Sequence, residues 1–442
     1  MTRMSRTRLI LSLAVGILLG TSAWNCARAG EKPRARVLLI GVDAGEWDVL
    51  GPLLDDGRCP NLARMRDQGS SGKLRSLEPL TKSPIIWASI ATGKVPQKHG
   101  ILDFFVKQKE QEHTRTPVAG EGETPATSNL WRAQTIWQIL GSLGHTVGVV
   151  GWWTTWPARP VNGVLVSDYV QYDTGTWPKK NSGRTYPDSL DPLVDRLRVK
   201  PENVSWAELF QFVPPIDTTK VTRRQQDLLQ NLKWIYAADM TFYRVGLELY
   251  RRKHPDFFTV YFRGVDEVSH VYWDVDVPGG AGFSPPLSEA EVNWLHHIIP
   301  NYYVFTDRLI GDFLKEAPRG TDVIVNSDHG FGGGGRGVMA HKLDGMIFMM
   351  GPHVVKGGNI SGATVLDVTP TILAMFGLPV ARDMDGRPIP GGLDPDLVKR
   401  MERETKLQTY ETAKATGDGQ EPVRSPVDQE LRERLRSLGY IQ

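Results

Sequence analysis

Short apolar runs that alternate with helical stretches constrain the fold of this chain more than any other feature. Each run has the length of a β-strand and is apolar almost throughout, as in a strand that is buried on both faces. The runs cover residues 35–42, 146–150, 257–263, 322–326 and 345–350. Segments with helical periodicity lie between them, at residues 61–68, 131–143, 225–252 and 302–316. This alternation predicts an α/β fold, a three-layer αβα sandwich around a largely parallel central sheet.

Acidic and histidine side chains follow three of the predicted strands. Asp43 follows the first run, Asp266 follows the run at 257–263, and the pair Asp328-His329 follows the run at 322–326. Ligands of such sheets bind at the carboxyl ends of the strands. We therefore expect these side chains to lie along one rim of the sheet.

The candidate ligands combine three carboxylates with three imidazoles. They are Asp43, Asp266, His270, Asp328, His329 and His341. Asp266 and His270 are four residues apart, a spacing that places both on one face of a helical turn. The mixture suits zinc, admits manganese or iron, and disfavours calcium. A single aspartate after a strand is more often a helix cap than a ligand, but six such residues favour a metal site over coincidence.

A glycine-rich stretch, NSDHGFGGGG at residues 326–335, contains two of these candidates. A phosphate-binding P-loop would require a Gly-Lys-Ser or Gly-Lys-Thr ending that opens a helix, and the Arg-Gly that follows here supplies neither. We therefore assign the chemistry to Asp328 and His329. We interpret the glycines as a turn that returns His341 to the site, which requires His341 to lie near Asp266.

A candidate nucleophile lies in LTKSPIIWASIATG, residues 80–93. Ser83 precedes a proline and an apolar, helix-like segment, so it stands where a helix start can face an anion. The same position is typical of an ordinary N-cap serine. The segment by itself does not separate the two interpretations.

Several motifs recur in a fixed order along the chain. They read GVDAGEWD, PNLARM, TKSPIIWASIATGKVPQKHGI, VDEVSH, NSDHGF, a later histidine before a strand, and DVTPTILAMFGLPVARDMDGRPI. Each is modest by itself, but the ordered set resembles the alkaline phosphatase superfamily, and most closely its branch of type I phosphodiesterases and nucleotide pyrophosphatases. The resemblance spans about residues 37–387 and is patchy over residues 106–253.

The resemblance implies two divalent metal ions, usually zinc, that bridge one phosphoryl group. It assigns one ion to Asp43, Ser83, Asp328 and His329, and the other to Asp266, His270 and His341. It also implies that Ser83 is the nucleophile and forms a phosphoserine intermediate, with a phosphodiester as the favoured substrate. The alternatives are a phosphomonoesterase or phospho-group transferase on the same site, or a non-catalytic binding protein on this scaffold.

Three positions bear on the substrate. Nucleotide pyrophosphatases typically carry an asparagine shortly after the HGI segment, and Phe104 takes that place here, which argues against a nucleotide substrate. Lys82, beside the candidate nucleophile, either contacts a phosphoryl oxygen or points to solvent. Cys59 lacks the C-x-P-x-R context of a sulfatase nucleophile, so we interpret it as a buried structural residue. The expected partner is a small-molecule or headgroup phosphoester rather than a nucleic-acid polymer.

The first 29 residues have the pattern of a secretory signal peptide, with arginines, an apolar core at 9–19 and a small-x-small triplet before Gly30. The core is shorter than the ~20 residues that span a bilayer. We predict cleavage after Ala29 and a periplasmic or secreted protein without a stable membrane span, with retention as an anchor as the alternative. Cleavage would remove four arginines and no acidic residue, which changes the formal charge from +2 to −2 and disfavours nucleic-acid binding.

The remaining chain is expected to hold one catalytic domain and a tail. Residues 30–400 are predicted to form the alkaline-phosphatase-like domain, with insertions or cap elements within 106–253. Residues 105–129 are charged and rich in turn formers, which indicates an exposed excursion. Residues 401–442 are predicted to be a polar C-terminal tail, mobile over 402–429, with a short helix at 431–440. The sequence leaves the oligomeric state open.

Overall fold

The computed structural model describes residues 35–107, 123–172, 177–178, 181–276, 283–333, 340–403, 407–412 and 421–440. The predicted signal peptide, most of the charged excursion, the end of the glycine stretch and parts of the tail lie outside the described residues.

The strands follow each other along the chain as β1 (Arg36–Val42), β2 (Ser70–Arg75), β3 (Phe105–Lys107), β4 (Glu123–Pro125), β5 (Val147–Val150), β6 (Gly163–Val166), β7 (Thr185–Tyr186), β8 (Phe257–Phe262), β9 (Thr321–Asn326), β10 (Gly330–Phe331), β11 (His341–Lys342), β12 (Asp344–Met350) and β13 (Gly358–Thr364). The helices are α1 (Trp47–Asp55), α2 (Pro60–Gln68), α3 (Ser83–Thr92), α4 (Pro96–His99), α5 (Ile136–Ser142), α6 (Asp191–Leu197), α7 (Trp206–Leu209), α8 (Arg223–Lys253), α9 (Gly264–Tyr272), α10 (Glu289–Leu295), α11 (Ile298–Glu316), α12 (Val368–Met375), α13 (Pro395–Arg403) and α14 (Asp428–Ser437).

Nine strands form one sheet, in the order β13-β2-β12-β9-β1-β8-β5-β6-β7. The five strands from β9 to β6 are parallel to their neighbours, whereas β12 and β7 are antiparallel. Parallel strands need crossover connections, and the helices between them pack on both faces of the sheet. The predicted α/β class with a largely parallel sheet is confirmed.

Alternate residues of β1 show why the sheet needs two covering layers. Leu38 and Ile40 enter an apolar cluster on one face, which includes residues of α8 and α11. Val37 and Leu39 enter a second cluster on the other face, with residues of α3 and α12. Successive side chains of a strand point to opposite faces, so an apolar run can be stable only between two helical layers.

The predicted helix at 131–143 is shorter than expected because a capping box fixes its start. Thr135 and Gln138 exchange side-chain and backbone hydrogen bonds, so α5 begins at Ile136. Trp131 lies before the helix, where its indole N–H donates to the Thr154 carbonyl over 2.8 Å.

The tail is more firmly attached than its polar composition predicts. The Tyr410 hydroxyl donates to the Pro379 carbonyl over 2.6 Å, and the buried ammonium of Lys94 lies 2.7 Å from a Glu411 carboxylate oxygen. Residues 421–440, called here the tail segment, contain α14 and return to the carboxyl rim of the sheet. The predicted mobility of residues 402–429 stays a prediction, although residues 407–412 and 421–428 make defined contacts with the catalytic domain through hydrogen bonds, ion pairs and a small apolar cluster.

Candidate metal centre

The predicted site residues come from segments that begin where the central strands end. Asp43 directly follows β1, and Asp328 and His329 follow β9. Asp266 is in the first turn of α9, which follows β8. Ser83 is the first residue of α3 and Lys82 is the N-cap residue, so the N-cap interpretation does not apply to Ser83.

Four of these residues form one group, called here the strand-exit half: Asp43, Ser83, Asp328 and His329. Nε2 of His329 lies 3.4 Å from an oxygen of Asp43, 3.4 Å from an oxygen of Asp328 and 3.4 Å from the Ser83 hydroxyl. All four side chains are buried. A single imidazole nitrogen thus lies at the centre of two carboxylates and a hydroxyl.

The other three residues, Asp266, His270 and His341, form the second group, called here the tail-covered half. Nε2 of His270 and Nε2 of His341 are 3.0 Å apart, and they lie 3.4 and 3.5 Å from Oδ1 of Asp266. The small hairpin β10–β11 brings His341 to this position, because it pairs His341 with Phe331. The condition for interpreting the glycine stretch as a turn is therefore met, although residues 334–339 themselves are not described.

The two halves meet at a pair of stacked imidazoles. The rings of His329 and His341 have centroids 3.7 Å apart and planes inclined by 16°. Possible ligand atoms of Asp43, Asp328 and His329 lie within 4.8 Å of one another, and so do those of Asp266, His329 and His341. His329 thus borders both groups, whereas the resemblance assigned it to one ion only.

The environment of His329 keeps its Nε2 unprotonated. Its Nδ1 donates to the Gly330 carbonyl over 3.0 Å, which leaves the lone pair on Nε2. Burial lowers the pKa of His329 to about 4. Glycine at position 330 permits close approach to the start of β12, since an added Cβ would lie 2.4 Å from the Asp344 carbonyl oxygen.

The three carboxylates have different electrostatic environments. Burial raises the pKa of Asp43 and of Asp328, and neighbouring carboxylates add to the rise. Burial acts in the same direction on Asp266, but the imidazoles of His270 and His341 outweigh it and hold that pKa well below its usual range. Closely spaced buried carboxylates repel each other and are normally compensated by cations.

Each half contains an aspartate that is held by a tyrosine through one oxygen only. The Tyr261 hydroxyl donates to Oδ2 of Asp43, and the Tyr440 hydroxyl donates to Oδ2 of Asp266. Oδ1 of each aspartate is buried and has no hydrogen-bond partner among the described residues, and neither has Oδ2 of Asp328. Buried unpaired oxygens beside imidazoles fit the donor set of a divalent cation such as zinc.

A cavity of about 10 Å³ lies between Asp43, Ser83 and Asp266 on one side and Arg434, Leu438 and Tyr440 on the other. This volume accommodates about one water molecule. The tail segment therefore fills the space above the candidate nucleophile.

The two predicted substrate-binding residues lie beside this cavity but do not line it. Lys82 forms an ion pair with Asp103 over 2.6 Å, and its ammonium lies 5.7 Å from the ring centroid of Phe104. Phe104 is buried, with its ring centroid 5.2 Å from that of Tyr440. Cys59 is buried, and burial raises the pKa of its thiol to about 12, which suits a structural residue.

Sequence reasoning missed the two tyrosines that hold the aspartates. Tyr261 could have been found, because a tyrosine in an otherwise apolar buried strand needs a partner for its hydroxyl, and it lies near the carboxyl end of β8. Tyr440 could not, because nothing local in the tail sequence indicates where α14 docks.

Comparisons with known proteins place this geometry in context. The sequence matches the Type I phosphodiesterase / nucleotide pyrophosphatase family over residues 37–366. No curated protein matches the sequence. A 2-O GAG sulfatase is similar in structure, with a TM-score of 0.51 and 13% sequence identity over 84% of this chain and 76% of that chain, which shows a shared fold.

Two further structures are similar at lower TM-scores. A phosphonate monoester hydrolase from Silicibacter pomeroyi gives 0.45 at 15% identity, over 83% of this chain and 77% of that one. Human ectonucleotide pyrophosphatase/phosphodiesterase 5 gives 0.44 at 13% identity, over 78% of this chain and 96% of that one.

Proposed function

Because the chain belongs to the type I phosphodiesterase / nucleotide pyrophosphatase family of phosphoester hydrolases, we propose that it is an exported, metal-dependent phosphodiesterase with Ser83 as its nucleophile. The observation that carries this proposal is the position of the Ser83 hydroxyl, 3.4 Å from the unprotonated nitrogen of His329 and beside unpaired carboxylate oxygens. A hydroxyl at the junction of cation ligands is in a suitable place to attack phosphorus.

The proposed ligand set comprises both halves of the centre. The strand-exit half would hold one divalent ion and the tail-covered half the other, with His329 adjacent to both. Zinc is the first choice, and manganese or iron are the alternatives, because imidazole ligands suit all three. When bound, such ions lower the pKa of a nucleophilic hydroxyl and neutralise charge on phosphoryl and leaving-group oxygens.

Residues of the chain would then carry out two displacements. Ser83 Oγ would lose its proton and bond to phosphorus while the bond from phosphorus to the leaving alcohol oxygen breaks, and the alcohol would leave with a proton. Water would then attack phosphorus, the bond from phosphorus to Ser83 Oγ would break, and the Ser83 hydroxyl would be regenerated as the phosphomonoester is released. The start of α3 favours the anionic substrate, since the positive end of the helix dipole lies at Ser83. Lys82 and Phe104 remain predicted substrate contacts.

The domain and location predictions form part of the same proposal. Residues 1–29 would be removed as a signal peptide, residues 30–400 would form the catalytic domain, and residues 401–442 the tail. Within the described ranges, every helix is too short or too polar to traverse a lipid bilayer. The substrate would be a small-molecule or headgroup phosphoester met in the periplasm or outside the cell.

A two-substrate assay tests the proposal. Purified enzyme with added zinc should hydrolyse bis-p-nitrophenyl phosphate faster than p-nitrophenyl phosphate, and a chelator should abolish both activities. p-Nitrophenyl sulfate serves as the control for a sulfate-ester hydrolase of the same fold. Preference for the monoester would indicate a phosphomonoesterase. Measured zinc without turnover of any ester would favour the binding-protein alternative.

A further inference from the structure

The tail segment docks through an apolar face that is formed by α14. Leu431 and Leu435 are buried in a cluster with Phe104, Trp156 and Tyr169. Removal of two leucine side chains from water stabilises the docking of a short helix on a surface. The segment thus has a defined position despite its polar composition.

Buried polar contacts orient this helix toward the metal centre. A guanidinium nitrogen of Arg434 lies 2.7 Å from a carboxylate oxygen of Glu267, and both side chains are largely buried. Glu267 is the neighbour of Asp266 in α9. A second Arg434 nitrogen donates to Asn231 over 3.0 Å. The tail therefore attaches to the same helix that supplies two predicted metal ligands.

Tyr440 completes the contact at the centre itself. Its hydroxyl donates to Oδ2 of Asp266, and its ring centroid lies 4.7 Å from that of His270. Oδ1 of Asp266, the unpaired atom, is the one that faces His270 and His341. Tyr440 thus orients the carboxylate so that its free oxygen points at the two imidazoles. Tyr261 holds Asp43 in the same way, with the free oxygen of Asp43 facing the single imidazole of His329.

We propose that Tyr440 is a positioning residue for Asp266 and that the tail segment is a lid that must leave the site before a phosphoester enters. This inference rests on the proposed function, because it assumes that Asp266 binds a cation. With the lid closed, the space above Ser83 is about 10 Å³, too small for a phosphoryl group. Closure therefore favours retention of the ion, and substrate binding favours opening.

A neighbouring cavity indicates the direction in which the site would enlarge. It has a volume of about 240 Å³ and shares Tyr172, Glu267 and Arg434 with the small cavity above Ser83. Separation of Arg434 from Glu267 would join the two spaces. The joined space approaches the size range of small-molecule pockets, which begins at roughly 300 Å³.

The first test measures metal release from the full-length, zinc-loaded protein into a chromogenic chelator. Tyr440→Phe keeps the ring and removes only the hydroxyl. We expect it to release one zinc ion about tenfold faster than the wild type, the scale of a lost hydrogen bond to a metal ligand. The second ion should leave at the wild-type rate.

Tyr410→Phe is the matched control, because it also removes a tyrosine hydroxyl from residues 401–442, where the partner is the Pro379 carbonyl. It should release zinc as the wild type does. Equal release from wild type and Tyr440→Phe would overturn the positioning role while leaving the proposed function intact. A wild-type protein that binds no zinc would overturn the proposed function, and this inference with it.

The second test follows the lid by hydrogen–deuterium exchange of the zinc-loaded protein with and without inorganic phosphate. Amides of residues 428–440 should exchange faster when phosphate is bound, while those of β1 should not change. Unchanged exchange in the tail segment at saturating phosphate would overturn the lid.

Discussion

The two halves of the proposed metal centre use the same aspartate–tyrosine pair but build it from different parts of the chain. In the strand-exit half, Tyr261 belongs to β8 and is fully buried in the sheet. In the tail-covered half, Tyr440 arrives on a segment that reaches the site through α14. One aspartate–tyrosine pair is therefore formed within the body of the sheet, whereas the other depends on the docking of the tail segment.

Removal of the proposed nucleophile should give the largest effect, and we expect that effect to be confined to the strand-exit half. We expect Ser83→Ala to lower kcat for bis-p-nitrophenyl phosphate by about 10³-fold or more, because no phosphoserine can form. Zinc in the tail-covered half should be retained. Ser70→Ala, which removes a buried hydroxyl bonded to the Val355 carbonyl, is the control. Full activity of Ser83→Ala would exclude it as the nucleophile.

A pair of leucine truncations should separate global from local stability. Leu38→Ala in β1 should reduce the free energy of unfolding by about 2–5 kcal/mol, because it leaves a cavity in the core cluster. Leu435→Ala should instead weaken the docking of α14. Denaturant titration measures the first effect and amide exchange of residues 428–440 the second. A large loss of global stability in Leu435→Ala would mean that the tail belongs to the cooperative core.

The two tyrosine hydroxyls should differ in their contribution to stability. Tyr261→Phe leaves Oδ2 of Asp43 and the indole N–H of Trp153 without their partner. Unsatisfied buried polar groups cost about 1–3 kcal/mol each, so the free energy of unfolding should fall by at least that amount. Tyr440→Phe should change the free energy of unfolding by less than about 1 kcal/mol, because we expect the tail segment to detach before the sheet unfolds. Equal losses in urea titration would contradict the contrast between the halves.

A smaller effect, on the pH dependence of the free energy of unfolding, should arise from His99, which belongs to neither half of the centre. Burial lowers the pKa of His99 to about 3, from 6.5 in the unfolded chain, and the Ile101 N–H donates to its Nδ1 over 3.2 Å. Because the folded state disfavours the protonated ring, stability is lost as pH falls through 6.5. The loss should be about 1 kcal/mol between pH 8 and pH 6.

His99→Gln tests this assignment, because glutamine cannot take up the proton. Its free energy of unfolding should fall by about 1 kcal/mol less than that of the wild type over the same interval. Parallel curves for the two proteins would show that another group titrates. Zinc content should be the same in both.

The polar residues at the rim of the sheet could be predicted because their positions depend on local sequence. An apolar run followed by aspartate forms a buried strand with a polar exit, and parallel strands bring such exits together, as Asp43 and Asp328 illustrate. The spacing of Asp266 and His270 likewise follows from helix geometry alone.

The parts that sequence reasoning missed depend on long-range docking. Tyr440 and Asp266 are 174 residues apart, and no periodicity links them. The polar composition of the tail did not indicate where it docks, yet buried leucines and one buried ion pair join α14 to the rest of the fold. Composition describes the average polarity of a segment. Docking depends on whether a few apolar side chains lie on the same face of a helix.

The separation of Tyr440 from Asp266 also sets an order of events during biosynthesis. A ribosome makes the chain from its amino end, so Asp43, Asp266 and Ser83 are synthesised long before Tyr440. A nascent chain would therefore carry the strand-exit ligands with Asp266 uncovered, and the cover would arrive only once residue 440 had been added.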